Sequence, residues 1–429
     1  MSYVPQFPSD PSSVGIPNQT PSAPTGQLPQ GGAPPQGGSV PYPSGFGPPP
    51  LPGNRPLAPG EQAPYPPQQY GAYQPPTAQP GFYPPQPQPQ YIAPIIEYLG
   101  VPIPNPNAPP LQYNAQKVAG YDPTGDAEAI IKATKGFGTN DELLIKTLTP
   151  LNPFKMDALA DHFLAKKGKR LIDILDSETS SYFGMGIHAL AIGPLAWDIE
   201  LANKALAGAG TNETLLNELI LGRPAYELYL LSTGFRQKYG VDLIQKISGD
   251  LSGTIERLFL MTLGANRPPN TLPVDRSAVE KDIDSLFAAG QGKSGTDEMV
   301  FCEILVTRSQ PHLSAVIGGY ANRYRSLTKV IKSEFSGHMR DALLYIVEGA
   351  KPKRGGDGVW RDAKLIDKAM AGFGTRDTEL VWRIVRAHWD AKRMAAIKDA
   401  YQRRTRKTLE SRIASETSGA YKKLMLALL

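Results

Sequence analysis

Cysteine is almost missing from this sequence: Cys302 is the only one in 429 residues. One thiol cannot close an intramolecular disulfide or build a Cys-based zinc site, and it suits a reducing compartment. Long apolar runs are missing as well. No stretch of about 18 or more apolar residues occurs, so no membrane-spanning helix is expected. The amino terminus, MSYVPQFPSDPSS, has neither a basic n-region nor an apolar h-region, so it does not read as a secretory signal. A soluble, cytoplasmic protein is the expectation.

Positive charge is absent from one whole region. The first 110 residues contain no Lys, one Arg (Arg55) and three acids (Asp10, Glu61, Glu97), yet they hold 33 of the 43 prolines. The other 319 residues carry 44 basic and 37 acidic side chains, a net of +7. This division excludes a single globular domain.

Catalytic signatures are lacking too. The five histidines (His162, His188, His312, His338, His388) stand apart, without an HExxH or a recognisable acid partner. No phosphate loop of the G-x-x-x-x-G-K-[ST] kind and no EF-hand loop occurs. Cys302 lies in Val-Phe-Cys-Glu-Ile-Leu, on a helix face expected to be buried. The sequence does not read as an enzyme. Its pI of about 9.0 comes without interleaved basic and aromatic residues, so no nucleic-acid partner is expected.

What the first region does contain is Pro, Gln, Gly, Ser and Tyr in low-complexity order. Such a segment buries too little apolar area to offset the entropy of ordering it. A disordered, extended arm is therefore expected over residues 1–115. Its tyrosines (Tyr42, Tyr65, Tyr70, Tyr73, Tyr83, Tyr91) suit self-association or partner binding, while a plain spacer is the alternative. Gln79-Pro80-Gly81-Phe82 and the prolines of residues 48–52 suit a penta-EF-hand or SH3-like partner. The stretch over residues 91–99 is more apolar and is expected to dock onto the folded part.

From about residue 120, apolar residues recur at spacings of three and four, as in Ile366, Ala369, Met370 and Phe373, which predicts an all-α fold. Within it a short string recurs: Gly136-Phe-Gly138-Thr139, Gly208-Ala-Gly210-Thr211, Ser294-Gly295-Thr296 and Gly372-Phe-Gly374-Thr375. A second string follows each: Ser177-Glu178-Thr-Ser180, Gly249-Asp250-Leu-Ser252, Ser333-Glu334-Phe-Ser336 and Ser415-Glu416-Thr-Ser418. The acid stands 40, 40, 39 and 42 residues after the last glycine of its loop. These are four copies of one unit.

Glycine ends one helix by tolerating a left-handed backbone, and the following Thr is expected to cap the next, with Thr139-Asn-Asp-Glu142 as a capping box. The Ser two residues after each acid is expected to be a further cap. A mobile loop that offers carbonyl oxygens, joined by one carboxylate, suits Ca²⁺ better than the strictly octahedral Mg²⁺. A helical-repeat scaffold whose turns are mere connectors explains the period, but not the acid at a matched distance.

On these two strings, the chain resembles the annexins over about residues 122–429. The resemblance implies four five-helix repeats stacked into a curved disc, over residues 122–194, 195–266, 277–350 and 359–429. It implies Ca²⁺ held by carbonyls of Thr134, Gly136 and Gly138 with Glu178, and of Leu206, Gly208 and Gly210 with Asp250. In the longer third loop Gly290, Lys293, Gly295 and Glu334 correspond, and in the fourth Met370, Gly372, Gly374 and Glu416. The arm resembles that of synexin-like and fungal members.

The expected activity is calcium-dependent binding to acidic phospholipid on the cytosolic face of membranes. Each loop supplies fewer oxygens than calcium takes, so lipid phosphate completes the shell and the sites act together. The basic clusters 166–170, 351–354 and 403–407 are expected to add attraction to an anionic surface. Repeat four is two residues longer between loop and acid, which places an insertion near His388 and Trp389.

Overall fold

The structure is a computed structural model that describes residues 95–106, 118–136, 138–208 and 210–429. The expectations for the arm before residue 95 and over residues 107–117 lie outside the described residues.

Apolar faces at helical spacing produce four helical units, as the periodicity predicts. The first is built from α1 (Thr124–Ala133), α2 (Asp141–Leu148), α3 (Pro153–Lys167), α4 (Leu171–Glu178) and the start of α5 (Ser181–Ala205). Gly193, at φ 80° and ψ 172°, breaks α5, and Pro194 follows it. The stretch after the break opens the second unit, which continues with α6 (Glu213–Ile220), α7 (Ala225–Tyr239), α8 (Leu243–Asp250) and α9 (Gly253–Gly264). The third holds α10 (Arg276–Ala289), α11 (Glu298–Thr307), α12 (Gln310–Arg323), α13 (Leu327–Glu334) and α14 (Gly337–Gly349). The fourth holds α15 (Val359–Ala369), α16 (Asp377–His388), α17 (Ala391–Thr405), α18 (Leu409–Glu416) and α19 (Gly419–Ala427).

Two departures from strict repetition have visible causes. In unit four α17 begins 15 residues after Arg376, where α3 begins 13 after Asn140, so the two extra residues lie at the α16–α17 junction. That is where the insertion was expected. In unit three the missing residue is a cap. The third helix of the other units ends on a left-handed residue (Gly168, Gly240, Arg406), whereas α12 ends on Tyr324 at φ −127°.

One element was not foreseen. Inside the segment expected to be a disordered arm, β1 (Ile95–Tyr98) and β2 (Val101–Pro104) form an antiparallel hairpin. Its two-residue turn, Leu99-Gly100, has φ of 54° and 76°, the positive pair that matches the twist of tight hairpins. The expected docking of residues 91–99 is realised from Ile95 onward, since Tyr98 is fully buried. Its hydroxyl donates to Asp198 Oδ2 at 3.0 Å, Arg223 lies over its ring, and Glu227 accepts from Leu99 N at 3.0 Å.

The core is aliphatic with large aromatics, including Phe163, Trp197, Phe235, Phe301 and Trp382. Charges are buried within it. Asp198 pairs with Arg223 at 2.7 Å and with Arg386 at 2.9 Å. Glu218 accepts from Arg383 Nε at 3.0 Å and from Trp382 Nε1 at 3.2 Å. These bonds tie α5 and α6 to α16, so units two and four share one ionic centre. A charge removed from water needs this degree of pairing to be tolerated.

Candidate functional site

Each unit folds its glycine string into a loop between its first two helices, and one backbone bond closes every loop. Asn140 N donates to Ala133 O, Asn212 N to Ala205 O, Asp297 N to Ala289 O and Arg376 N to Ala369 O, each at 2.8 Å. The closure spans seven residues in loops 1, 2 and 4 and eight in loop 3, so the third loop is the longer one. In loops 1, 2 and 4 both glycines take positive φ: Gly136 and Gly138 at 108° and 85°, Gly208 and Gly210 at 95° and 111°, Gly372 and Gly374 at 104° and 87°. A side chain at these positions would strain the backbone, which is why the string needs glycine. In loop 3 only Gly295 does so, at 82°, while Gly290 ends α10 at φ −119°.

The remaining carbonyl candidates stand at the loop roots. Thr134, Leu206 and Met370 are the C-cap residues of α1, α5 and α15. The side chains of Leu206 and Met370 are buried in the core, so the backbone is what these residues offer a ligand. Lys293 is exposed, and its N–H donates to Gly290 O at 3.3 Å.

The threonine of the string has a different task from the one expected. Asn140 is the cap of α2, with Oδ1 accepting from Leu143 N at 3.0 Å, and Glu142 pairs with Lys423, so no Thr139–Glu142 capping box forms. Thr139 Oγ1 instead donates to Glu178 O at 2.7 Å. Thr296 Oγ1 donates to Glu334 Oε2 at 2.9 Å, and Thr375 Oγ1 to Glu416 Oε2 at 3.2 Å. In three units, therefore, the loop threonine clasps the acidic residue some forty positions on. The contact is to the backbone carbonyl in unit one and to the carboxylate in units three and four. Ser180, Ser252, Ser336 and Ser418 do occupy extended N-cap positions, but their side chains make no cap hydrogen bond.

The carboxylates differ in what else they touch. Among the described residues, no hydrogen bond or ion pair engages the Glu178 carboxylate. Asp250 has Lys246 at a loose 3.9 Å. Glu334 accepts from Thr296 and, at 3.2 Å, from Ser333. All three keep acceptor capacity, and Thr139 and Thr296 hold Glu178 and Glu334 beside loops rich in carbonyls, a donor set of the kind a hard cation takes. Among the described residues no group of three or more His, Cys, Asp and Glu could hold a metal, so an ion here would depend on backbone oxygens. Loop 4 fits less well: Arg412 donates to Met370 O and pairs with Glu416 Oε1 at 2.9 Å. The sequence reading missed Arg412, although its position four residues before Glu416 marks a same-face pair on one helix.

Titratable groups away from the loops serve the fold. Cys302 is buried, and burial pushes its thiol up to about 12, so it stays protonated. Burial also lowers His338 to about 4. His188 is buried as well, which opposes its charge, but hydrogen bonds to Asp176 and Glu200 outweigh this and raise it to about 9. The basic clusters are partly spent on neighbours: Arg170 on Asp173, Lys351 on Glu348, Arg403 on Asp399 and Arg404 on Asp367.

Comparison with known proteins gives the family. The annexin family model matches residues 125–190, 198–262, 282–346 and 361–428, one match per helical unit. The chain belongs to the annexin family. It is similar to annexin C1 of Cryptococcus neoformans var. grubii, 44% identical over 333 residues that cover 77% of this chain and 70% of that protein. It is also similar to annexin A7 of Dictyostelium discoideum, 36% identical over 309 residues, covering 71% of this chain and 64% of that protein. Among solved structures, annexin III aligns with a TM-score of 0.68 at 31% identity, covering 73% of this chain and 95% of that one. Annexins are calcium-dependent phospholipid-binding proteins and are generally binders rather than enzymes. Among the described residues no helix of this annexin is long and apolar enough to cross a membrane.

Proposed function

We propose that this annexin attaches peripherally to acidic phospholipid membranes when calcium rises, through its loop-and-carboxylate sites. The observation that supports the reading is the clasp of loop threonine to acidic residue in units one, three and four, which holds that residue next to its glycine string; loop 2 is included on its matching string and spacing. In loop 1 the ligands are the carbonyls of Thr134, Gly136 and Gly138 with Glu178. In loop 2 they are those of Leu206, Gly208 and Gly210 with Asp250, and in loop 3 those of Gly290, Lys293 and Gly295 with Glu334. Each set leaves part of the six to eight oxygens of a calcium shell unfilled. Phosphate oxygens of an anionic lipid complete it, so lipid and calcium raise each other's affinity by the same factor. Several such loops on one chain turn weak sites into firm attachment. The +7 of the helical part adds attraction to the cytosolic leaflet, within about 8 Å at physiological salt.

The arm serves self-association or partner binding in this reading, which allows membrane-bound chains to cluster vesicles. Deleting residues 1–94 is expected to reduce vesicle clustering while leaving attachment intact; unchanged clustering removes the proposed role.

Co-sedimentation with phosphatidylserine vesicles, with calcium and with chelator, tests attachment. The wild-type chain is expected to pellet only with calcium, and the Glu178→Gln/Asp250→Gln variant to need more calcium. Absence of calcium-dependent pelleting overturns the proposal and leaves a helical scaffold acting through its arm.

A further inference from the structure

The residue four positions before the acid differs in every unit: Ile174, Lys246, Val330 and Arg412. On a helix that position lies one turn back, on the same face as the acid. Ile174 and Val330 bring no charge. Lys246 brings one, but its ammonium stays 3.9 Å from Asp250. Arg412 alone spans the whole site. One of its terminal nitrogens lies 2.9 Å from Glu416 Oε1 and the other donates to the carbonyl of Met370, at the root of loop 4.

Thr375 occupies the remaining carboxylate oxygen, with its hydroxyl 3.2 Å from Glu416 Oε2. Both oxygens of Glu416 are therefore engaged, one of them by a cation that also holds the first carbonyl of the loop, whereas Glu334 meets only neutral hydroxyls and the Glu178 carboxylate has no partner among the described residues. A guanidinium is suited to this position. It keeps its charge at any physiological pH, and its planar fork of donors can serve a carboxylate and a carbonyl at once. Lysine offers a single point of charge and does not do the same in loop 2.

We infer that Arg412 is a built-in cation for loop 4, taking the place that calcium holds in the other loops. Wild-type loop 4 then keeps its shape without metal, and calcium uptake is confined to loops 1 to 3. This rests on the calcium-loop reading above and refines it, because the fourth loop carries the glycine string, the threonine clasp and the acid but has its charge balanced from within. Removing the guanidinium frees Met370 O and Glu416, and so creates a calcium site.

The test is calcium bound per chain, by equilibrium dialysis of the full chain with phosphatidylserine vesicles. Glu178→Gln is expected to lower uptake by about one ion, whereas Glu416→Gln in the otherwise wild-type chain leaves it unchanged. Arg412→Ala is expected to add about one ion, and adding Glu416→Gln to it abolishes the gain. Glu416→Gln is nearly isosteric and decides the matter even if Arg412→Ala fails to fold. Loss of calcium in Glu416→Gln comparable to that in Glu178→Gln overturns the inference alone, as does a folded Arg412→Ala chain with no gain. If the wild-type chain takes up no calcium and Glu178→Gln changes nothing, the calcium-loop reading falls and the inference with it.

Discussion

The buried centre and the loops use the same side chains in opposite ways. At the centre, Asp198 and Glu218 are removed from water, Asp198 met by two guanidinium groups and Glu218 by one, with a tyrosine or a tryptophan as a further donor. In loop 1 a carboxylate at the end of α4 has its backbone pinned by Thr139 and its oxygens unclaimed among the described residues. Full pairing makes a carboxylate part of the fold, and incomplete pairing leaves it able to take a ligand. The fourth loop lies between these cases, since Arg412 and Thr375 give Glu416 the pairing of an interior residue in a partly exposed place.

Substitutions that separate stability from ligand uptake sharpen this contrast. Arg383→Met, which leaves Glu218 buried without its charge partner, is expected to cost about 3–5 kcal/mol in urea unfolding. An unchanged midpoint would mean that the centre is not what joins units two and four. His188→Gln comes next. With His188 raised from 6.5 to about 9 by Asp176 and Glu200, its contribution is fully present below pH 6.5 and lost as pH rises through about 9. At full strength it is worth about 3 kcal/mol. The stability gap between wild type and variant, measured from pH 6 to 10, should therefore close toward alkaline pH.

Tyr98→Phe keeps the ring against Arg223 and removes only the bond to Asp198, for an expected loss of about 1–2 kcal/mol. Glu178→Gln should be smallest in stability, within about 0.5 kcal/mol as for surface changes that break no buried network. Its effect belongs to calcium-dependent pelleting. A large stability loss there would place Glu178 among the structural carboxylates and blunt the comparison.

Much of the helical architecture is legible from two strings, because each residue type is needed locally: glycine for the positive φ, an acid at a fixed distance. Assignments that depend on distant partners were harder to read. Thr139 and Asn140 are adjacent and both able to cap, and the choice turns on Glu178, thirty-nine residues away in sequence, which accepts the threonine hydroxyl. The hairpin hides in low-complexity sequence, where Pro102 and Pro104 argue against a strand even though an edge ribbon accepts them. The buried centre reads as surface charge unless one notices that Asp198 and Glu218 stand inside strongly apolar helices, in Leu-Ala-Trp-Asp-Ile and Leu-Asn-Glu-Leu-Ile.

The docked hairpin also decides where the chain can be cut. A truncation at residue 110, the boundary that composition suggests, removes Tyr98 and Leu99 along with the proline-rich arm, and so takes donors away from Asp198 and Glu227. Any phenotype of that truncation mixes loss of the arm with damage to the joint between the second and fourth units. A cut before Ile95 removes the arm alone, and the difference between the two truncated proteins isolates what the ribbon itself contributes.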